Sequence, residues 1–116
     1  MKKLNDIKIA ILTENGFEQV ELTRPKAALE NAGAKVDVIS PQRGKVKAWN
    51  NTDWGIEVKV DKELINVKPS DYDALVLPGG VMNPDKLRQN EDAVNFVTEF
   101  LQSGKPIAAI VMAPKY

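Results

Sequence analysis

The residues best placed for chemistry in this sequence are the backbone groups of Pro78-Gly79-Gly80. They follow the apolar run Ala74–Leu77, which predicts a strand buried on both faces, as in a parallel sheet covered by helices. Glycine has no Cβ, so the backbone at Gly79 and Gly80 can approach a ligand closely. In open α/β sheets the ligand crevice lies outside the carboxyl ends of the strands. We therefore expect a site beside Gly79 and Gly80, with a simple strand-terminating loop as the alternative.

The composition limits the reagents that could act beside this loop. The sequence contains no cysteine and no histidine, which excludes thiolate chemistry and removes the usual general base and the commonest metal ligand. Carboxylates paired at the spacing of a glycosidase or a metal site are not visible, and we expect Glu14 and Asp85 to be surface charges near the rim of the site. Neither a Gly-x-Gly-x-x-Gly nor a P-loop motif is present. We therefore predict no cofactor and no bound metal.

Length and charge predict one soluble cytoplasmic domain covering residues 1–116. Sixteen basic and sixteen acidic side chains cancel, so neither a nucleic acid nor an anionic membrane is favoured as a partner. Hydrophobic residues make up 43% of the chain, enough for an ordinary core. We find no apolar run long enough to span a bilayer and no signal-peptide core near the N-terminus.

The elements that must position the loop follow a β-α-β, hairpin, β-α-β order. This order predicts a doubly wound α/β fold with a mostly parallel sheet and helices on both faces. Besides Ala74–Leu77, the predicted strands are Ile7–Leu12, Lys35–Ile39 and Ile107–Val111, and a hairpin joins Lys45–Ala48 to Ile56–Val60. Trp49 and Trp54, inside that hairpin, form either a contact surface or a cap on the sheet edge.

Two longer helices are predicted between the strands. The Phe17–Leu22 block leads into the first, which has Pro25 near its first regular turn and stops at Gly33. The second is capped by Asn90 and ends at Gly104. Its predicted buried face consists of Ala93, Val94, Val97, Phe100 and Leu101.

Three blocks of the sequence resemble the ThiJ/PfpI family in order and spacing. They are Phe17-Glu18-Gln19-Val20-Glu21-Leu22, Leu75–Gly80 and Gly104–Ile110. Members of this family include intracellular protease I, general stress proteins and protein deglycases, and the resemblance runs from about Lys8 to Ile110. It implies a flavodoxin-like sandwich of the class I glutamine-amidotransferase type.

The resemblance also implies a mechanism. In the family a nucleophile elbow, Cys-His-Gly-Pro or Cys-His-Ala-Pro, follows the Ala-Ala-Ile strand, and its thiolate attacks the carbonyl carbon of a small carbonyl compound or a peptide. Carried over, Glu18 supplies a carboxyl group beside the thiolate, and Gly79 or Gly80 lends a backbone N–H to an oxyanion hole. Glu21 is expected to be the solvated glutamate of the first helical turn.

The sequence departs from the family at the elbow. Val111 stands where the cysteine is expected and Met112 where the histidine is expected. We therefore expect an inactive chain that lacks the family's C-terminal part and in which Glu18 is a vestigial acid. One hypothesis is a frameshift, because deleting one T from codons for Ile-Cys-His-Gly-Pro-Gln-Val-Leu can give Ile-Val-Met-Ala-Pro-Lys-Tyr-stop, the ending of this chain. Genuine divergence or a deliberate alteration is the alternative.

The last predicted strand also bears on partners. Without a following helix, one apolar face of Ala108–Val111 is expected to be uncovered, which favours association. We therefore expect a homo-oligomer. The alternative to an enzyme-derived chain is a non-catalytic, chaperone-like binding module acting through Trp49, Trp54 and the last strand, and a third hypothesis is an unrelated flavodoxin-like binder of small ligands.

Overall fold

A computed structural model describes residues 5–50, 53–79 and 83–109. Its helices are α1 (Gln19–Asn31), α2 (Asn83–Arg88) and α3 (Glu91–Gln102), with short 3₁₀ turns at Leu64–Asn66 and Pro69–Asp71. Its strands are β1 (Lys8–Leu12), β2 (Phe17–Glu18), β3 (Lys35–Ser40), β4 (Lys45–Asn50), β5 (Asp53–Lys59), β6 (Lys62–Glu63), β7 (Ala74–Leu77) and β8 (Ile107–Ala109).

The main sheet has five parallel strands in the order β6-β3-β1-β7-β8. The central strand β1 pairs with β3 on one side and with β7 on the other, so that Ile9 lies between Val36 and Ala74. The chain moves outward from β1 in both directions, which confirms the predicted doubly wound topology.

Side chains of β1 alternate between two cores, one on each face of the sheet. Ile9 and Ile11 pack in the core on the side of α1, whereas Ala10 and Leu12 pack in the core on the side of α3. This period of two follows from strand geometry, and it explains why both faces of the strand are apolar. Helices therefore cover the two faces, as the sequence predicts.

The predicted hairpin is confirmed as β4 and β5 of a second, three-stranded sheet in the order β2-β4-β5. The short strand β2 pairs in parallel with β4 and ties this sheet to the start of α1. Trp49 and Trp54 contact each other edge to face across the hairpin, with ring centroids 5.3 Å apart.

The start of α1 differs from the prediction. The helix begins at Gln19, directly after β2, so Pro25 lies inside it rather than near its first regular turn. Gly33 follows the helix with a φ of 102°, which agrees with its predicted role as a stop.

The predicted cap of α3 is confirmed, since Asn90 Oδ1 accepts a hydrogen bond from the Ala93 backbone N–H at 2.9 Å. The predicted buried face is wrong in part. Val94 is 43% and Leu101 is 63% exposed, while Phe96 is buried. The buried stripe runs through positions 93, 96, 97 and 100, so 94 and 101 fall on its flank.

The described part of the last predicted strand is β8, in which Ala108 and Ala109 are exposed. Ile110 and Val111 lie outside the described residues. No helix in the described part of the chain is long and apolar enough to cross a membrane.

Candidate functional site

The loop after β7 lies at the carboxyl edge of the main sheet, where the sequence places the site. Gly79 is buried there and makes two hydrogen bonds to the start of α1. The Glu18 backbone N–H donates to the Gly79 carbonyl oxygen at 2.9 Å, and the Gly79 N–H donates to Glu21 Oε1, also at 2.9 Å. The structure therefore brings Glu18, Glu21 and Gly79 together.

Glu21 is the functional candidate that sequence reasoning missed. The expectation of a solvated glutamate is wrong, because Glu21 is only 8% exposed and its carboxylate accepts the Gly79 N–H. Burial raises the pKa of Glu21, the Gly79 hydrogen bond lowers it, and the charge of Glu18 raises it further. The net pKa is above the ordinary value of a glutamate.

A signal for Glu21 exists in the sequence, but it depends on where the helix starts. Once α1 begins at Gln19, Glu18 is its N-cap residue and Glu21 lies in its first turn, so both glutamates belong to the N-terminal end of the helix. The prediction with Pro25 near the first turn starts the helix closer to Pro25, so it does not place Glu21 beside Glu18 at the helix N-terminus.

Glu18 is also buried, with 6% exposure, and it contacts the loop at Gly79. Glu18 makes this contact through its backbone N–H, which donates to the Gly79 carbonyl oxygen, and not through its carboxyl group. Its role as the acid of the site stays a prediction.

The predicted oxyanion donors occupy different situations. The Gly79 N–H donates a hydrogen bond to the Glu21 carboxylate, so this predicted oxyanion donor already has an acceptor in the structure. Gly80 lies outside the described residues, as do Val111 and Met112, the positions of the expected cysteine and histidine.

Glu14 follows β1 by two residues, and the expectation of a surface charge is wrong for it. Its side chain is buried, with Oε1 accepting the Asn15 backbone N–H at 2.8 Å and Oε2 accepting Gln42 Nε2 at 3.2 Å. The side chain of Asp85 lies outside the described residues. Within the described ranges, no three acidic side chains are grouped so that they could hold a metal ion.

An apolar cleft of about 340 Å³ opens beside Gly79, between the ends of β7 and β8 and the helices α2 and α3. Its walls include Leu77, Pro78, Leu87, Val97 and Ala109. Most of this lining accepts apolar or weakly polar groups, and Arg88 adds one charged side chain to it, so the cleft can hold a small, mainly apolar compound beside the loop.

A sequence model of the DJ-1/PfpI family matches residues 7–116. The chain belongs to the DJ-1/PfpI family. Among curated DJ-1/PfpI relatives, it is 39% identical over 108 residues to protein/nucleic acid deglycase 2 of Escherichia coli and 39% identical over 109 residues to general stress protein 18 of Bacillus subtilis. It is 38% identical over 109 residues to deglycase PfpI of Pyrococcus furiosus.

The alignments cover 93% of this chain and 61% of the first two relatives, and 94% of this chain and 63% of the third. The chain therefore spans less than two thirds of the length of the curated DJ-1/PfpI relatives it matches.

Solved structures of DJ-1/PfpI proteins have the same fold. A two-domain protein of Anabaena variabilis, with a DJ-1/ThiJ/PfpI-like and a ferritin-like domain, superposes with a TM-score of 0.81 at 35% identity, over 94% of this chain and 30% of that protein. Oxidised DJ-1 of Toxoplasma gondii gives a TM-score of 0.78 at 27% identity, over 89% of this chain and 54% of that protein. The resemblance seen in the sequence is therefore confirmed for family and fold.

Proposed function

We propose that this chain carries the carboxyl group and the glycine loop of a cysteine-dependent DJ-1/PfpI site, without the nucleophile that completes such a site. The observation that carries the proposal is the hydrogen bond from the Gly79 N–H to the buried Glu21 carboxylate. Chemistry of this class attacks the carbonyl carbon of a small carbonyl compound or a peptide, and the names of the deglycase relatives favour it.

Glu21 is a better candidate for the acid than Glu18. The Glu21 carboxylate contacts the loop, whereas Glu18 contacts the loop through its backbone N–H. Because the pKa of Glu21 is raised, a larger fraction of this carboxyl group is protonated at a given pH than in an ordinary glutamate. A protonated carboxyl group can donate a hydrogen bond to a thiolate, which stabilises the charged nucleophile.

We further propose that the 116 residues do not turn over substrate by themselves, because they contain no cysteine. The purified chain should degrade methylglyoxal and release methylglyoxal adducts from a model peptide no faster than buffer does. Turnover above this background would contradict the proposal.

The role of Glu21 can be tested by placing a thiol at the elbow position. In the Val111→Cys chain the thiol pKa is measured from the pH dependence of its alkylation rate. Adding Glu21→Leu should raise that pKa by about one to two units, since a hydrogen bond to a charged group is worth about 1.5–3 kcal/mol and one unit is 1.36 kcal/mol.

Glu18→Leu in the same background is the matched control. If Glu18→Leu raises the thiol pKa and Glu21→Leu does not, the acid is Glu18, as the sequence suggested. If neither substitution moves it, no glutamate of this turn acts on the elbow position, and the proposed site is wrong.

The frameshift hypothesis concerns the origin of Val111-Met112. The nucleotide sequence around codon 110 tests it. A Cys-His codon pair recoverable by inserting one nucleotide would support a frameshift, and in-frame Val-Met codons without such a pair would contradict it.

A non-catalytic binding role is the second candidate. It is favoured by exposed apolar side chains on the hairpin, since Trp54 is 44% and Ile56 is 45% exposed. A holdase assay with an aggregating client protein tests it. Protection of the client from aggregation that disappears in a Trp54→Ser variant would support this role. If the unaltered chain gives no protection, the role is contradicted.

A further inference from the structure

The first turn of α1 is held by bonds to other elements rather than by a cap of its own. Glu18 occupies the N-cap position, and its side chain makes no capping hydrogen bond. Further along, Pro25 has no N–H to donate to the carbonyl oxygen of Glu21, four residues before it. A turn without a side-chain cap leaves N–H groups unsatisfied within the helix. The placement of Glu21 therefore depends on contacts made outside α1.

One of these contacts joins Gln19, the first residue of α1, to β5. Gln19 Oε1 accepts a hydrogen bond from the Ile56 backbone N–H at 3.0 Å. A Cβ at Gly55 would collide with this same amide oxygen and would lie 3.1 Å from Asn50 Cβ. The absence of a side chain at Gly55 thus provides the space in which the Gln19 amide lies.

The irregularity of the hairpin occurs at the same place. The β4–β5 register shifts between Lys47 and Trp49, so that Ala48 faces both Gly55 and Ile56. An extra residue of this kind is a β-bulge. It interrupts the hydrogen bonds between the two strands locally and changes the direction in which nearby backbone groups point. The hairpin therefore presents the Ile56 N–H to a side chain of α1.

We propose that Gln19 is a positioning residue, which braces the first turn of α1 against Gly55 and Ile56 of the hairpin and so holds the Glu21 carboxylate on the Gly79 N–H. The catalytic importance of this placement rests on the function proposed above. The brace itself is a property of the folded chain and can be measured without turnover.

Hydrogen exchange of the Gly79 amide tests the brace. Gln19→Met keeps the length and the helix propensity of the side chain but removes the amide oxygen. We expect the Gly79 amide to exchange about two- to tenfold faster, the range for one lost hydrogen bond of ordinary strength. The Ala93 amide, capped by Asn90 at the start of α3, should exchange at an unchanged rate.

Gln102→Met, at the exposed end of α3, is the matched control and should leave both amides unchanged. An unchanged Gly79 rate in Gln19→Met would overturn the proposal. Equal acceleration of Gly79 and Ala93 would also overturn it, because Gln19 would then stabilise the whole fold rather than position Glu21.

A double-mutant cycle provides a second test. Gly55→Ala should displace the Gln19 amide and accelerate Gly79 exchange in the unaltered chain. In a Gln19→Ala background it should have a smaller effect, because only the close contact with Asn50 Cβ remains. Additive effects would contradict the brace. Because neither readout involves substrate or an elbow thiol, these results are independent of the thiol experiment that tests the proposed function.

Discussion

Glu21 shows how a residue gains chemical character from a distant part of the chain. Its hydrogen-bond donor, the Gly79 N–H, lies 58 residues further along the sequence. Both Glu21 and its neighbour Glu18 are buried at the same loop, although an isolated helix would expose acidic residues in its first turn to solvent. The tertiary contact, rather than the residue type, makes Glu21 the better candidate for the acid.

The raised pKa of Glu21 gives stability a pH dependence of definite sign. The folded state keeps this proton to higher pH than the unfolded state, so the free energy of unfolding should fall as pH rises from the ordinary carboxyl value of about 4.3 through the raised value. Glu21→Gln should remove this decrease in the free energy of unfolding, because glutamine does not titrate. Urea denaturation of both proteins between pH 4 and pH 8 measures it, and parallel pH profiles would refute the prediction.

Tyr72 is a second buried group whose partner comes from another strand. Its hydroxyl donates to Asp37 Oδ2 at 2.9 Å, and both residues are buried. Tyr72→Phe would leave that carboxylate without this donor, which should lower the free energy of unfolding by about 1–3 kcal/mol. The cost should shrink in an Asp37→Asn background. Denaturant unfolding of the four proteins checks this, and equal costs in both backgrounds would exclude a direct coupling.

At the scale of elements, α3 shows that a correct helix can be assigned an inaccurate buried face. Its cap and its bounds agree with the sequence-based prediction, because Asn90, the acidic first turn and Gly104 are local signals. The orientation of the helix depends on which side chains fit the surface of the main sheet, and the sequence of one helix does not contain that information. Phe96 is buried there, and Leu101 is not.

This orientation predicts opposite results for two large apolar residues of α3. Phe96→Ala should lower the free energy of unfolding by about 3–5 kcal/mol, as expected when a buried aromatic side chain leaves a cavity. Leu101→Ala, at a side chain that is 63% exposed in the single chain, should change the free energy of unfolding of the monomer by no more than about 0.5 kcal/mol. Thermal or urea unfolding measures both changes. A Leu101→Ala cost close to that of Phe96→Ala would mean that the helix faces the other way.

For the whole molecule, the exposed apolar side chains near β8 bear on assembly. Ala108 and Ala109 of β8 are exposed, and so are Val94 and Leu101 on one flank of α3, where Val94 lines the same cleft as Ala109. Apolar surface of this kind favours association, so we propose that the chain forms a homo-oligomer through this flank.

Sedimentation velocity at micromolar concentration tests the homo-oligomer. Leu101→Glu should shift the chain towards the monomer, because a charge on the flank opposes burial. Ile65→Glu, at a side chain that is 69% exposed and follows β6 at the opposite end of the main sheet, is the control and should leave the distribution unchanged. A monomeric unaltered chain, or equal effects of the two substitutions, would contradict association through this flank.

The sequence by itself determined the family, the doubly wound order of strands and helices, and the position of the loop after β7. These follow from signals carried within short stretches: apolar runs, the alternation of period two, the cap of α3 and the glycines. Only the tertiary structure decided that Glu21 contacts Gly79, that Glu14 is buried and that Leu101 is exposed. The physical reason is that burial and hydrogen bonding at these positions depend on partners supplied by other elements.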